Sequence, residues 1–91
     1  MTIRWSPEAA EDLERIALHI RENNPEAARQ TVKVIFDGIV GLKNFPNLGR
    51  PGRETGTREL IFAPLPYIAA YRIIENVIEI SRIWHGAQHW S

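Results

Sequence analysis

Two helical patterns, separated by only a couple of residues, fill the first half of the chain. Apolar side chains recur with 4-3-4 spacing within Pro7–Glu22 and with 4-3-4-3 spacing within Pro25–Asn44, which predicts two helices with one buried stripe each. Ser6-Pro7-Glu8 supplies an N-cap, a first-turn proline and an acid, and Asn23-Asn24-Pro25-Glu26 repeats this chemistry. The short connection predicts an antiparallel helical hairpin.

The same spacing sorts the side chains of the hairpin by exposure. The buried stripes are predicted to hold Ala9, Leu13, Ile16 and Ile20 in the first helix, and Ala28, Val32, Ile35, Ile39 and Leu42 in the second. The charged side chains of the first helix are predicted to be hydrated: Glu11, Asp12, Glu14, Arg15 and Arg21.

The composition changes after Phe45. Phe45–Gly56 contains two prolines and three glycines, which predicts a loop that is long for a small domain. Segments rich in β-branched and aromatic residues predict strands at Thr2–Trp5, Thr57–Ala63, Pro66–Ile74 and Val77–His85. The expected fold is α+β, in the order β-α-α-β-β-β, with the N-terminal helical hairpin packed on a mainly antiparallel sheet.

Size and composition limit the function further. The 91 residues, 44% apolar and 24% charged, are expected to form a single domain, 1–91, with a small core that a partner could stabilise. Cysteine is absent, which excludes disulfides and thiol catalysis, and 11 basic residues balance 11 acidic ones, so no global attraction to nucleic acid or membrane is expected. Without a signal-peptide pattern or an 18-residue apolar run, we expect a cytoplasmic protein.

A two-residue turn at Glu75-Asn76 would fix the pairing of the last two strands. It predicts the pairs Ile74–Val77, Arg72–Glu79, Ala70–Ser81 and Ile68–Ile83. The open face of the sheet would then carry Arg72, Glu79, Ser81 and His85. The face under the helices would carry Tyr67, Ala69, Tyr71, Ile73, Ile78, Ile80, Arg82 and Trp84.

The predicted open face offers one arrangement with catalytic potential. A metal-independent ribonuclease needs a base, an acid and a cation, and Glu79, His85 and Arg72 could supply them in that order. Arg72 and Glu79 are also direct neighbours and could form a salt bridge, while His85 could instead bond to backbone or contact a partner. Arg82 is either a cation at the rim or an interior ion-pair partner.

Other chemistry has weaker support. His85 and His89 have i, i+4 spacing, but Gly86 opposes a helix there and no cysteine or acid follows, so no metal site and no cofactor are expected. Trp84 and Trp90 are interpreted as packing residues, and Arg50 and Arg53 as hydrated loop residues with phosphate contact as the alternative. No nucleophile motif or phosphate-binding glycine loop is present.

Five groups of short strings are informative together: Trp5-Ser6-Pro7-Glu8-Ala9 with Asp12-Leu13, Phe45-Pro46 through Gly49-Arg50-Pro51-Gly52, Thr57-Arg58-Glu59-Leu60, Pro66-Tyr67-Ile68 with Tyr71-Arg72, and Ile83-Trp84-His85-Gly86-Ala87. In this order and in a chain of this length, they resemble the RelE/ParE superfamily of bacterial type II toxin–antitoxin systems. The resemblance implies a toxin that a small antitoxin, usually encoded beside it, holds inactive in a hetero-oligomer. The helical hairpin and the open sheet are both candidate surfaces for that antitoxin.

The superfamily has two branches, and the chain is more similar to ParE, whose target is DNA gyrase. Pro66-Tyr67 stands where the ribonuclease branch tends to carry an arginine, and no tyrosine follows His85. The resemblance therefore implies a gyrase inhibitor that acts by binding, with no hydrolytic chemistry. The alternatives are a RelE-like ribonuclease acting on ribosome-bound mRNA through Arg72, Glu79, Arg82 and His85, and an interaction domain without toxicity. The expected contacts to partners are Arg58, Tyr71, Arg82, Trp84 and His85.

Overall fold

The computed structural model describes residues 1–87, and its elements follow the predicted order. They are β1 (Thr2–Trp5), α1 (Pro7–Arg21), α2 (Pro25–Gly41), β2 (Arg50–Pro51), β3 (Thr57–Ile61), β4 (Tyr67–Ile74) and β5 (Val77–His85). The strands form one sheet in the order β1-β5-β4-β3-β2. β1 is parallel to β5 and the other pairs are antiparallel, so the predicted α+β fold is confirmed.

Side-chain caps set the start of both helices, as the sequence predicts. Ser6 Oγ accepts a hydrogen bond from Ala9 N at 2.9 Å, and Asn24 Oδ1 accepts one from Ala27 N at 3.1 Å. α2 ends before the predicted Asn44, because the backbone after Gly41 continues in tighter turns with i to i+3 hydrogen bonds. Within residues 1–87, neither helix is long and apolar enough to cross a membrane.

The predicted loop after α2 contains a strand that the sequence did not indicate. Arg50 and Pro51 form β2, which pairs with Glu59 and Arg58 of β3 at the edge of the sheet. β3 ends at Ile61, short of the predicted Ala63.

The core lies between the helical hairpin and one face of the sheet. The most buried apolar side chains are supplied by both layers: Ala9, Ile35, Ile39 and Leu42 from the helical part, and Leu60, Phe62, Ala69, Tyr71, Ile78, Ile80 and Ile83 from the sheet and its connections. The predicted stripe is thus confirmed at its centre. Asp12 is an exception, because this residue of the predicted hydrated set is 3% exposed.

A β-bulge at Ser81 changes the pairing of β4 and β5 halfway along. From Ile74–Val77 to Tyr71–Ile80 the predicted register is confirmed, but Ala70 then pairs with Arg82 instead of Ser81. Because one extra residue stands on β5, every later pair is shifted, and the predicted Ala70–Ser81 and Ile68–Ile83 pairs are wrong.

The bulge also moves four side chains to the face opposite to the one predicted. Ile83 enters the core, so Arg82 and Trp84 lie on the open face and not under the helices as predicted. His85 pairs with Tyr67, which packs against the core, and so leaves the open face that the sequence assigned to it.

The chain around the bulge is held by the start of α1. Beyond Trp5, β1 no longer covers the edge of β5, and Ser6 Oγ donates a hydrogen bond to Ser81 O at 2.8 Å. The Asp12 carboxylate accepts one from Ile83 N at 2.9 Å. Side chains of the helix therefore replace the missing strand partners at this edge.

Candidate functional site

A cavity of about 420 Å³ lies on the open face of the sheet. β3, β4 and β5 supply its floor, and the connection between β2 and β3 contributes to its rim. Three arginines and two glutamates line it, so more than half of its lining residues are charged. Its lining residues are Arg53, Glu54, Thr57, Glu59, Ala70, Arg72, Ser81, Arg82 and Trp84.

Arg82 is held at the cavity by Asp12 of α1. Arg82 Nε donates to Asp12 Oδ2 at 2.7 Å and its Nη2 donates to Oδ1 at 3.1 Å, while Ile83 N donates to Oδ2. Arg15 Nη1 adds a contact of 3.2 Å from the solvent side. Of the two roles open for Arg82, the ion-pair partner is the one observed, and its bidentate geometry fixes the direction of the guanidinium.

The electrostatics of this pair favour its charged form. Burial opposes ionisation of Asp12, but hydrogen bonds from Arg82 and Ile83 and the charge of Arg82 outweigh burial, so the pKa of Asp12 lies below its ordinary value of 3.8. The hydrogen bond to Asp12 likewise raises the pKa of Arg82. Both groups are therefore charged throughout the physiological range.

Arg72 and Ser81 contribute polar atoms without partners. Arg72 Nε and Ser81 Oγ are both buried and make no hydrogen bond. Glu79 is the Cα partner of Arg72, yet its carboxylate pairs with Arg4 Nη2 at 2.9 Å. The predicted Arg72–Glu79 salt bridge is therefore replaced by one between β1 and β5.

His85 is at the end of β5, away from the cavity. Its Nδ1 accepts a hydrogen bond from Ala87 N at 3.0 Å, and its ring meets the edge of the Tyr67 ring at a centroid distance of 5.5 Å. Of the roles considered from sequence, a strand-end histidine bonded to backbone is the one observed. The structure thus brings Arg72 and Arg82 together but separates them from Glu79 and His85.

Tyr71 and Arg58 hold the long connection after α2. The Tyr71 hydroxyl donates to Pro46 O at 2.8 Å and accepts from Gly49 N at 2.9 Å, and the Tyr71 side chain is fully buried. Arg58 Nη1 donates to Gly49 O at 2.7 Å and to Asn47 O at 3.3 Å. Both residues were predicted as partner contacts, but the interactions observed position this connection.

The connection after α2 agrees only in part with the hydrated loop that the sequence predicts. Phe45 and Leu48 are 66% and 63% exposed on it. Arg50 forms an ion pair in addition to its contact with solvent, because its Nη2 lies 3.0 Å from Glu59 Oε1. Arg53 lines the cavity on the open face.

A second concave surface, the interhelical groove, lies between α1 and α2. It has a volume of about 580 Å³ and an apolar floor that includes Ala17, Val32 and Phe36, with Phe36 49% exposed. Its charged rim consists of Arg21, Arg29, Lys33 and Asp37. Sequence reasoning missed this groove, because the exposed apolar residues of α2 fall outside the predicted stripe.

Metal ligands are not clustered in the part of the chain that the structure describes. Among residues 1–87, no group of three or more histidine, cysteine, aspartate or glutamate side chains could hold a metal ion. His89 and Trp90, which the sequence analysis considered as a ligand and a packing residue, lie outside the described residues.

Comparison with known proteins identifies the family. The family model described as "ParE toxin of type II toxin-antitoxin system, parDE" matches residues 3–90. The protein named "Putative toxin Y4kP" from Sinorhizobium fredii is 41% identical over 88 residues, covering 97% of this chain and 91% of that protein. "Toxin RelE1" from Caulobacter vibrioides is 29% identical over 89 residues, covering 96% and 95%.

Solved structures agree with the sequence matches. The structure titled "Chromosomal ParDE TA system from P. aeruginosa" superimposes with a TM-score of 0.85 at 31% identity, covering 93% of this chain and 95% of that one. This match extends over both helices and the sheet that carry the cavity and the groove. The chain belongs to the ParE toxin family of type II toxin–antitoxin systems.

Proposed function

We propose that this toxin inhibits DNA gyrase by binding it, without cutting nucleic acid, and that a cognate antitoxin neutralises it. The observation that carries the proposal is the dispersal of the acid and base that a ribonuclease would need. Glu79 is paired with Arg4, and His85 lies on the other face of the sheet from Arg72. A general base and a general acid must both reach the same substrate, and these two do not share a cavity.

The composition of the cavity supports the same conclusion. Among the described residues, its lining includes no histidine, lysine or tyrosine. Arginine is a poor general acid, because the guanidinium does not give up its proton at neutral pH. A surface with fixed charges and few proton donors is suited to recognition of a protein more than to proton transfer.

Two observations support the ribonuclease alternative. Arg72 and Arg82 line the same cavity, where two cations could stabilise a phosphorane. A relative named Toxin RelE1 is similar over nearly the whole chain. The test below therefore includes RNA cleavage.

The antitoxin binds in the interhelical groove under this proposal. The groove combines an apolar floor at Ala17, Val32 and Phe36 with an excess of basic groups at its rim. These features suit an amphipathic helix with acidic flanks, which would bury its apolar face there as it folds. The ParDE structure similar to this chain is described as a toxin–antitoxin system, which supports such a partner.

The first experiment is to induce the chain in bacteria without an antitoxin and to pulse-label DNA and protein synthesis within minutes. We expect DNA damage signalling while translation continues, and purified toxin should inhibit gyrase supercoiling. An early fall in protein synthesis, with mRNA cleavage on ribosomes, would contradict the proposal. In that case His85→Ala should abolish cleavage, whereas His19→Ala, an exposed histidine of α1, should not.

A further inference from the structure

We propose that the open-face cavity is a carboxylate-binding site centred on Arg72, and that its occupant is an acidic side chain of the antitoxin. This inference rests on the proposed function only in requiring an antitoxin. The antitoxin would then make a polar contact on the open face of the sheet, in addition to its apolar contact in the interhelical groove.

Arg72 has no charged partner within residues 1–87, in contrast to Arg82 and Glu59 of the same cavity. Arg82 is neutralised by Asp12, and Glu59 of the cavity wall is neutralised by Arg50. Arg72 forms no ion pair within the described residues, although its Cα partner is a glutamate. The Nε of this guanidinium is buried and has gained no hydrogen-bond partner in return for its lost hydration.

Ser81, on the neighbouring strand β5, also supports a polar ligand in the cavity. Its hydroxyl lies at the bulge, lines the same cavity and makes no hydrogen bond. Unsatisfied buried polar groups are rare in folded proteins, and two of them in one cavity indicate a place for a polar ligand. A carboxylate could accept hydrogen bonds from both the guanidinium and the hydroxyl after a small rotation of the Arg72 side chain.

The charge balance favours a single carboxylate over a nucleic-acid backbone. With Asp12 and Arg50 counted as partners, the described groups around the cavity carry an excess of one positive charge. A phosphodiester chain is bound by several cations and by exposed aromatic rings. Trp84 is 4% exposed and offers no stacking surface for a base.

The site can be probed directly by NMR titration of the full-length toxin. The ligand is a blocked glutamate, N-acetyl-glutamate N-methylamide, and the matched control is the corresponding glutamine compound. We expect the glutamate compound alone to shift the resonances of Arg72 Nε–H and of the Ser81 amide. Arg72→Met should weaken binding about tenfold to a hundredfold, the range for a lost charge-assisted contact, and Arg72→Lys should weaken it less. Lys43→Met removes an exposed cation outside both concave surfaces and should change nothing.

Equal shifts with the glutamine compound, or tighter binding of the oligonucleotide dT6 at the same residues, would overturn the proposal. The antitoxin encoded beside the toxin gives the second arm, in which Arg72→Met should lower the affinity of the complex by a similar factor. If Arg72→Met instead loses gyrase inhibition at unchanged antitoxin affinity, the acidic partner is gyrase and the antitoxin assignment fails. Supercoiling inhibition by the wild type decides the proposed function separately.

Discussion

Replacement of Asp12 by alanine should destabilise the fold strongly, because this carboxylate joins α1 to the bulged part of β5. Asp12 is 3% exposed and accepts hydrogen bonds from Arg82, Ile83 and Arg15. In Asp12→Ala the guanidinium of Arg82 loses its anion, and the buried Ile83 N–H loses its acceptor.

The magnitude follows from these two losses. Removing one partner of a buried ion pair costs about 3–5 kcal/mol, but the Arg82 side chain is 37% exposed, so water can partly replace the carboxylate. An unsatisfied buried N–H costs about 1–3 kcal/mol. We therefore expect Asp12→Ala to lower the free energy of unfolding by about 2–4 kcal/mol. Asp12→Asn retains an oxygen for Ile83 and should cost about 1–2 kcal/mol.

The effect should depend on pH in a defined direction. Because the folded-state pKa of Asp12 is below its ordinary value of 3.8, its stabilising contribution is fully present above that value. The contribution is lost as the pH falls through the folded-state pKa. The difference in unfolding free energy between wild type and Asp12→Asn should therefore be constant from pH 7 to pH 5 and shrink below about pH 4.

Urea unfolding followed by circular dichroism at pH 7, 5, 4 and 3 measures both quantities. Asp37→Asn is the matched control, because Asp37 forms an exposed i, i+4 pair with Lys33 at 2.7 Å, and its loss should stay within about 0.5 kcal/mol. The reasoning fails if Asp12→Asn is as stable as the wild type at pH 7, or if its deficit does not shrink in acid.

Two further predictions concern the connection after α2. Tyr71→Phe removes two hydrogen bonds to the connection and should cost about 1–2 kcal/mol, with faster amide exchange at Gly49, whereas unchanged exchange would contradict the anchoring role. Gly49→Ala would place a Cβ 2.8 Å from the Tyr71 ring and should destabilise the protein, while Gly41→Ala meets nothing within 4 Å in the helix and should stabilise it by about 0.5–1 kcal/mol. Thermal unfolding of both variants checks the opposite signs.

Local sequence signals predicted the helical hairpin well. The caps at Ser6 and Asn24 are single side chains whose chemistry does not depend on distant residues, and apolar spacing identified the centre of the core. Asp12 was missed because it is charged and was grouped with Glu11 and Glu14, although it lies three residues after Ala9 and four before Ile16 and so flanks the buried stripe. Its partner is on a strand 70 residues away in sequence.

The bulge at Ser81 is a feature of the sheet that the sequence did not predict. Ile78 and Ile80 alternate in phase, but Ile83 is out of phase with them, so a regular strand would expose Ile83 and turn Arg82 toward the helices. The sequence contains this conflict but does not show where the register changes. The break becomes favourable only because Ser6 and Asp12, on another element, hold the displaced backbone. The partners that make the irregular strand stable are thus non-local.

This irregularity also decides what the open face can do. A regular β5 would have kept His85 on the same face of the sheet as Arg72 and would have turned Arg82 toward the helices. The extra residue moves the histidine away, brings a second arginine into the cavity, and leaves the Ser81 hydroxyl without a partner. Departures from local sequence rules are common at functional sites and are compensated elsewhere in the structure, here by Ser6 and Asp12. On that argument, the bulge is the feature of β5 that favours recognition over hydrolysis.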